Sequence, residues 1–275
     1  MANVSLADVK ALRERLGTGM VDTKNALVEA EGDFEKAVEI LRLKGAKGNA
    51  KRADRSTSEG LVAAVESATA VTLIELACET DFVAKNDRFV ALGNTVLQAV
   101  ADAGAETVDA ALAVQFEGKS VADIISDEAA IIGEKVELRR IARIPGSKFA
   151  VYLHKTNQDL PPQVGVVVAY TGDDAATARS VAQHISFADP QYLAKGDVPE
   201  ALVAEERRIV EEISRNEGKP EAALPKIVEG RVGSYFKQVA LLEQDYARDN
   251  KQTVGKVLKD AGLEVTGFVR FKVGA

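Results

Sequence analysis

The stretch CETDFVAKND, Cys78 to Asp87, sets an aromatic ring beside a carboxylate in a polar bend, just after the apolar run AVTLIEL. Two readings fit it. Either Thr80 or Asp81 caps a following helix and Phe82 packs beneath it, or Phe82 stands at the tip of a turn, a probe aimed at another molecule. Other chemistry-bearing residues are few. One cysteine, Cys78, forms no internal disulfide and agrees with a reducing compartment. The two histidines, His154 and His184, give neither a zinc-spaced ligand cluster nor an obvious Cys/His nucleophile pair. There is no G-x-x-x-x-G-K-[ST] phosphate loop and no G-x-G-x-x-G after a strand. Carboxylates are plentiful but spread along solvated-looking helices. The expected activity is therefore binding without covalent chemistry, with no cofactor and no metal ion.

The totals agree. At 275 residues, 46% hydrophobic and 28% charged, the chain is of ordinary globular composition and long enough for one large domain or two to three small ones. A formal charge of -7 argues against nucleic acid as a direct partner, since such binding rests on Lys and Arg neutralising phosphates. The start, MANVSLADVK, has no basic segment followed by an apolar stretch, and no apolar run is long enough to span a bilayer. These features predict a cytoplasmic chain with no membrane partner.

The elements that must position the bend follow from periodicity. Residues 1–45 read as a three-helix unit: a Ser5/Asp8 capping box, a stripe of Leu6, Val9, Leu12 and Leu16, a second helix from about Met20 to Ala30, and a third carrying Phe34, Ala37, Val38 and Leu41. Residues 46–59, poor in apolar side chains, read as a flexible linker. Then strand, strand, helix, helical excursion and strand occur twice, over 60–145 and 146–275. This is the pattern of two duplicated α+β subdomains. Within the second, about 199–243 reads as an inserted antiparallel helical hairpin, with Leu202, Ile209 and Ile213 as one helix's stripe. The last helix is expected over NKQTVGKVLKDAG.

Several stretches, VKALRERLGTGMVDTKNALVEAEGDFEKAVEILRLKG, CETDFVAKNDRF, IGEKVELRR, LPKIVEGR and TGFVRFKVG, together resemble bacterial elongation factor Ts, in order and over essentially the whole chain. The resemblance implies a guanine nucleotide exchange factor for elongation factor Tu. It also implies a ubiquitin-associated-like N-terminal domain, two related core subdomains and a projecting hairpin. Asp81 and Phe82, within Thr80–Val83, then match the pair that intrudes near the partner's magnesium and phosphate sites. Ile132 matches an apolar position beside that wedge. Arg13, Met20 and Lys24 match positions facing the partner's nucleotide-binding domain, and His154 a histidine near its third domain. In QDYARDN, Ala247 and Arg248 stand where larger hydrophobes touch the partner in some relatives. Some relatives continue into a C-terminal helical module, whose contacts are expected to be absent here. A dimer of heterodimers is a further expectation. The rival readings are a non-catalytic adaptor that grips a protein through the three-helix unit, and an enzyme with a cleft between the subdomains.

Overall fold

The computed structural model describes residues 4–16 and 18–275. Three helices open the chain, α1 (Leu6–Leu16), α2 (Met20–Glu29) and α3 (Phe34–Arg52). The first sheet region holds β1 (Glu59–Glu66), β2 (Ala70–Cys78), α4 (Asp81–Ala84), α5 (Asp87–Asp102), α6 (Val108–Ala113), a small hairpin of β3 (Gln115–Phe116) and β4 (Lys119–Ser120), α7 (Val121–Ile132) and β5 (Val136–Pro145). The second holds β6 (Phe149–His154), β7 (Val164–Thr171), α8 (Ala175–Ala188), α9 (Glu200–Asn216), α10 (Leu224–Val239), β8 (Asp245–Tyr246), β9 (Asp249–Thr253), α11 (Val254–Asp260) and β10 (Glu264–Lys272). The fold is α+β, as the pattern predicts.

The capping box forms: the Asp8 N–H donates to Ser5 Oγ at 3.1 Å, and Asp8 Oδ2 accepts from the Ser5 hydroxyl and N–H at 2.6 and 3.1 Å. Val9, Leu12, Ala26, Leu27, Ala37 and Leu41 close a small core of their own. Beyond it the structure departs from the sequence reading. Much of the expected linker, residues 46–59, is helical, because α3 runs unbroken through Arg52. Its second half packs on α7, and small residues permit the approach: a Cβ on Gly45 would stand 2.6 Å from the Ala130 Cβ. Asn49 Nδ2 also donates to the Ser126 carbonyl and hydroxyl at 2.8 and 2.9 Å. Low apolar content here marks a close helix–helix contact, not a solvated tether.

The two main sheets share one plan. Each is antiparallel and three-stranded, with the second strand of its region in the middle: β1-β2-β5 and β10-β7-β6. Their inner faces pack together through Val62, Val71, Leu73, Val167 and Phe271. Gly165 allows that approach, since a Cβ there would meet Val62 Cγ1 at 2.4 Å. On the outer faces, α5 and α7 cover the first sheet with Phe89, Val96, Val100 and Ile125, while α8 and α11 cover the second with Val181, Ile185 and Leu258. Covered on both sides, β2 and β7 are apolar on both faces, which is why AVTLIELAC and VGVVVAY read as continuous runs.

Glu75 is the one charged residue of β2, with a fully buried side chain. A register shift after Glu75 sets both Arg139 and Arg140 opposite it. Arg140 Nε donates to Glu75 Oε2 at 2.6 Å, Arg139 Nη1 lies 3.5 Å from Oε1, and the Gly274 N–H donates to Oε1 at 3.3 Å. Arg140 also donates to the Lys272 carbonyl at 2.6 Å. The network joins β10 to the first sheet.

Two further differences concern the second region. The hairpin of α9 and α10 is present, but Leu202, Ile209 and Ile213 face solvent; Val210 and Ser214 are buried, with Val210 in one core with Val228, Val232 and Phe236. The buried stripe runs one residue C-terminal to the expected one. Polar Ser214 hides it from a hydrophobicity count, yet its hydroxyl is satisfied by the Val210 carbonyl at 2.6 Å. The final helix starts at Val254, because Asp249–Thr253 pairs with β8 as a strand.

Candidate partner-binding turn

The β2–β5 ladder ends on the pair Cys78 and Val136. From there the chain turns off into α4, whose N-cap is Thr80: Oγ1 accepts from the Val83 N–H at 3.4 Å. Val83 is half-buried against the first core and Ala84 is fully buried. These two residues anchor the turn, and Asp81 and Phe82 are left outside. Phe82 is 72% exposed and the Asp81 side chain 51%. One turn later Lys85 brings its Nζ to 3.6 Å from Asp81 Oδ2 and to 4.4 Å from the Phe82 ring centroid. Of the two opening readings, the cap is present but the tucked ring is not.

The surroundings hold this turn by its carboxylates. Glu134 Oε2 accepts from the N–H groups of Glu79 and Thr80, both at 3.1 Å, and Oε1 accepts from the Thr80 hydroxyl at 2.7 Å. Glu79 in return accepts the Lys135 N–H at 2.6 Å and pairs with Arg55 at 3.2 Å. Desolvation pushes the Glu79 carboxyl up, but the Lys135 N–H and Arg55 outweigh it and leave it below its ordinary value. Cys78 is buried and donates to the Thr80 carbonyl at 3.3 Å. Burial first, with Glu134 and Glu59 adding, pushes its thiol up to about 12, so it offers no thiolate.

The other predicted residues are distributed over the molecule. Ile132 closes α7, half-buried on the same core, ahead of Gly133 in the left-handed region at φ 86°. Arg13, Met20 and Lys24 are exposed on α1 and α2. Among the described residues no hydrogen bond or ion pair joins these three to the turn. His154 ends β6 with its Nδ1 3.1 Å from the Tyr152 hydroxyl. It lines a cleft of about 570 Å³ that also takes in His184, Phe187, Ala247 and Arg248, so the YLHK and QDYARDN stretches meet in space.

Three residues escaped the sequence reading. Glu134 acts on the turn through contacts no spacing reveals, whereas Lys85, four residues after Asp81, was legible as a helical i,i+4 pair. Phe187, 66% exposed in the His154 cleft, was detectable as the aromatic of α8 lying off its buried stripe of Ala178, Val181, Ala182 and Ile185. His184, given no role, is buried: its Nδ1 accepts the Ala247 N–H at 3.3 Å, leaving Nε2 to donate to Gln244 Oε1 at 2.9 Å. Burial lowers its pKa, against a smaller upward pull from Gln244.

Among the described residues no three His, Cys, Asp or Glu side chains gather where they could hold a metal ion, and no helix is long and apolar enough to cross a membrane. What the geometry offers is a rigid α+β scaffold presenting a capped aromatic turn. Comparison with known proteins gives that scaffold its class. A family model described as Elongation factor TS matches residues 79–275. The chain is 70% identical to the elongation factor Ts of Leifsonia xyli subsp. xyli and 69% identical to that of Clavibacter sepedonicus. It is 58% identical to that of Tropheryma whipplei, and each alignment covers 100% of both chains. The class is that of translation elongation factors which exchange nucleotide and catalyse no covalent step. The chain belongs to the elongation factor Ts family.

Proposed function

We propose that the chain binds elongation factor Tu carrying GDP in the cytoplasm and speeds GDP release, with Asp81 and Phe82 entering near the magnesium and phosphate site of that GTPase. The observation that carries the reading is the 72% exposed Phe82 ring on a turn whose next two residues are anchored in the core. A GTPase holds its nucleotide through backbone N–H groups around the phosphates and a magnesium ion bridging protein and phosphate oxygens. A rigid ring loses little entropy on burial and can part packed side chains. The Asp81 carboxylate brings negative charge toward a site built around a cation. To enter, both must leave Lys85, an exposed contact worth about 1 kcal/mol or less.

The exchange factor stabilises the emptied partner more than the loaded one, and by linkage the nucleotide weakens the exchange factor's grip by the same factor. Exchange is accelerated in both directions, and the guanine nucleotide that rebinds is set by concentration and affinity. In this reading Ile132 contributes an apolar partner contact beside the wedge. Arg13, Met20 and Lys24 dock the three-helix unit on the nucleotide-binding domain, and His154 with Phe187 contacts a second part of the partner.

The test loads elongation factor Tu with fluorescent GDP and adds catalytic amounts of this chain. A large increase in release rate supports the reading, whereas binding with no change in rate would establish the adaptor alternative. That alternative has its own supporting observation, the exposed Leu6, Val21, Val28 and Leu43 of the three-helix unit.

A further inference from the structure

We infer that Glu134 is a positioning residue for the Asp81–Phe82 turn, an inference that rests on the exchange reading above. Past the last β2–β5 rung at Cys78 and Val136, an unbroken antiparallel ladder would pair Glu79 and Thr80 with Lys135 and Glu134 through the backbone. Side-chain carboxylates satisfy these backbone donors instead. Glu134 takes the N–H groups of Glu79 and Thr80, and Glu79 takes that of Lys135. The strands are thereby laced together while the backbone of residues 79–81 is free to leave the sheet and start α4. No backbone carbonyl could receive three donors at this point, whereas a carboxylate offers about four acceptor sites on two oxygens.

The third bond sets the turn itself. By accepting the Thr80 hydroxyl proton at 2.7 Å, Glu134 fixes that rotor so that an Oγ1 lone pair points to the Val83 N–H, the cap of α4. Asp81 and Phe82 lie between the two bonded ends. Their direction in space therefore depends on a carboxylate that touches neither, and that need not touch the partner. Gly133, in the left-handed region at the end of α7, gives the sharp change of direction that delivers Glu134 to the site.

The experiment uses the full chain with Glu134→Gln, in which the amide retains one acceptor oxygen and turns an NH2 toward donors. The maximal rate of fluorescent-GDP release from elongation factor Tu is expected to fall about tenfold, as for loss of hydrogen bonds to a charged group. The half-saturating concentration should stay within about twofold, because docking surfaces elsewhere are intact. Amide hydrogen exchange of the free chain should show Glu79 and Thr80 deprotected while α5 and α7 keep their protection. In a Phe82→Ala chain, Glu134→Gln should cost little further, since it positions a ring that is gone. Unchanged Thr80 protection, or an equal loss with and without Phe82, would overturn the assignment. Should Phe82→Ala itself leave exchange intact, the wedge reading falls, and this role for Glu134 falls with it; Thr80 protection still reports separately whether Glu134 holds the turn. Thr80→Val, which removes only the hydroxyl leg, should lower the rate less than Glu134→Gln and serves if the Gln variant folds poorly.

Discussion

The two sheet regions follow one plan and part company at the same place, where the middle strand hands over to the helix on the outer face. After β7 the chain crosses in a tight turn: Gly172, at φ 101°, has room for no side chain because a Cβ would lie 2.5 Å from the Gly262 carbonyl, and Asp174 caps α8 at once. After β2 the corresponding passage carries an extra helical turn, α4, and on it an aromatic ring that the fold leaves uncovered. The middle strands differ as well. β7 buries only apolar side chains, whereas β2 buries Glu75 against two arginines. One copy of the plan closes this crossing tightly. The other carries a charge network in its interior and an uncovered ring at its end.

The largest test of that contrast is Glu75→Ala. It strands Arg139 and Arg140 without their shared partner and cuts the tie to Gly274, and loss of about 3 kcal/mol of stability is expected, toward the low end for broken buried pairs because both guanidiniums reach solvent. Urea unfolding would measure it; a change below that expected for a surface substitution would show the network to be incidental. Next, Asp81→Ala combined with Phe82→Ala should lower GDP release about 100-fold, equivalent to about 2.7 kcal/mol of barrier, with only a moderate loss of binding. The matched change in the other region, Asp173→Ala, removes an exposed pair with Lys148 and should leave release unchanged. If both changes slow release alike, the division of labour between the regions is wrong.

The smallest expected effect is a pH dependence in the second region. His184 has a lowered folded pKa, so the unfolded chain binds the proton more readily. Its contribution to stability is complete above the ordinary histidine value of about 6.5 and is lost as pH falls from there toward the folded pKa. The denaturation midpoint should therefore drop on acidification below neutrality, and His184→Gln should flatten that part of the profile.

Much of this was legible in the sequence, for identifiable reasons. The strand, strand, helix order of both regions and the Ser5 box rest on local periodicity and capping chemistry, and they appear where those rules put them. The exposed ring was legible as one of two options, since capping by Thr80 is compatible with either fate of Phe82. What failed to show was long-range. Asn49 and its neighbours look like a tether until Ser126 of α7 is placed against them. Val210 and Ser214 lose to Leu202, Ile209 and Ile213 on hydrophobicity and win on geometry, because α10 approaches from their side. Glu134 lies 54 positions from Thr80, and only the register of β2 against β5 brings them together.

The helix that replaces the expected tether has a mechanical consequence. A load that swings the amino-terminal bundle cannot be absorbed at a loose joint, because α3 carries it stiffly to Asn49 and thence to α7. Either the Asn49–Ser126 clasp gives way or α7 is levered with it, and α7 ends two residues before Glu134, the carboxylate that holds the turn. A load on the bundle is thus geared, through α7, to the turn.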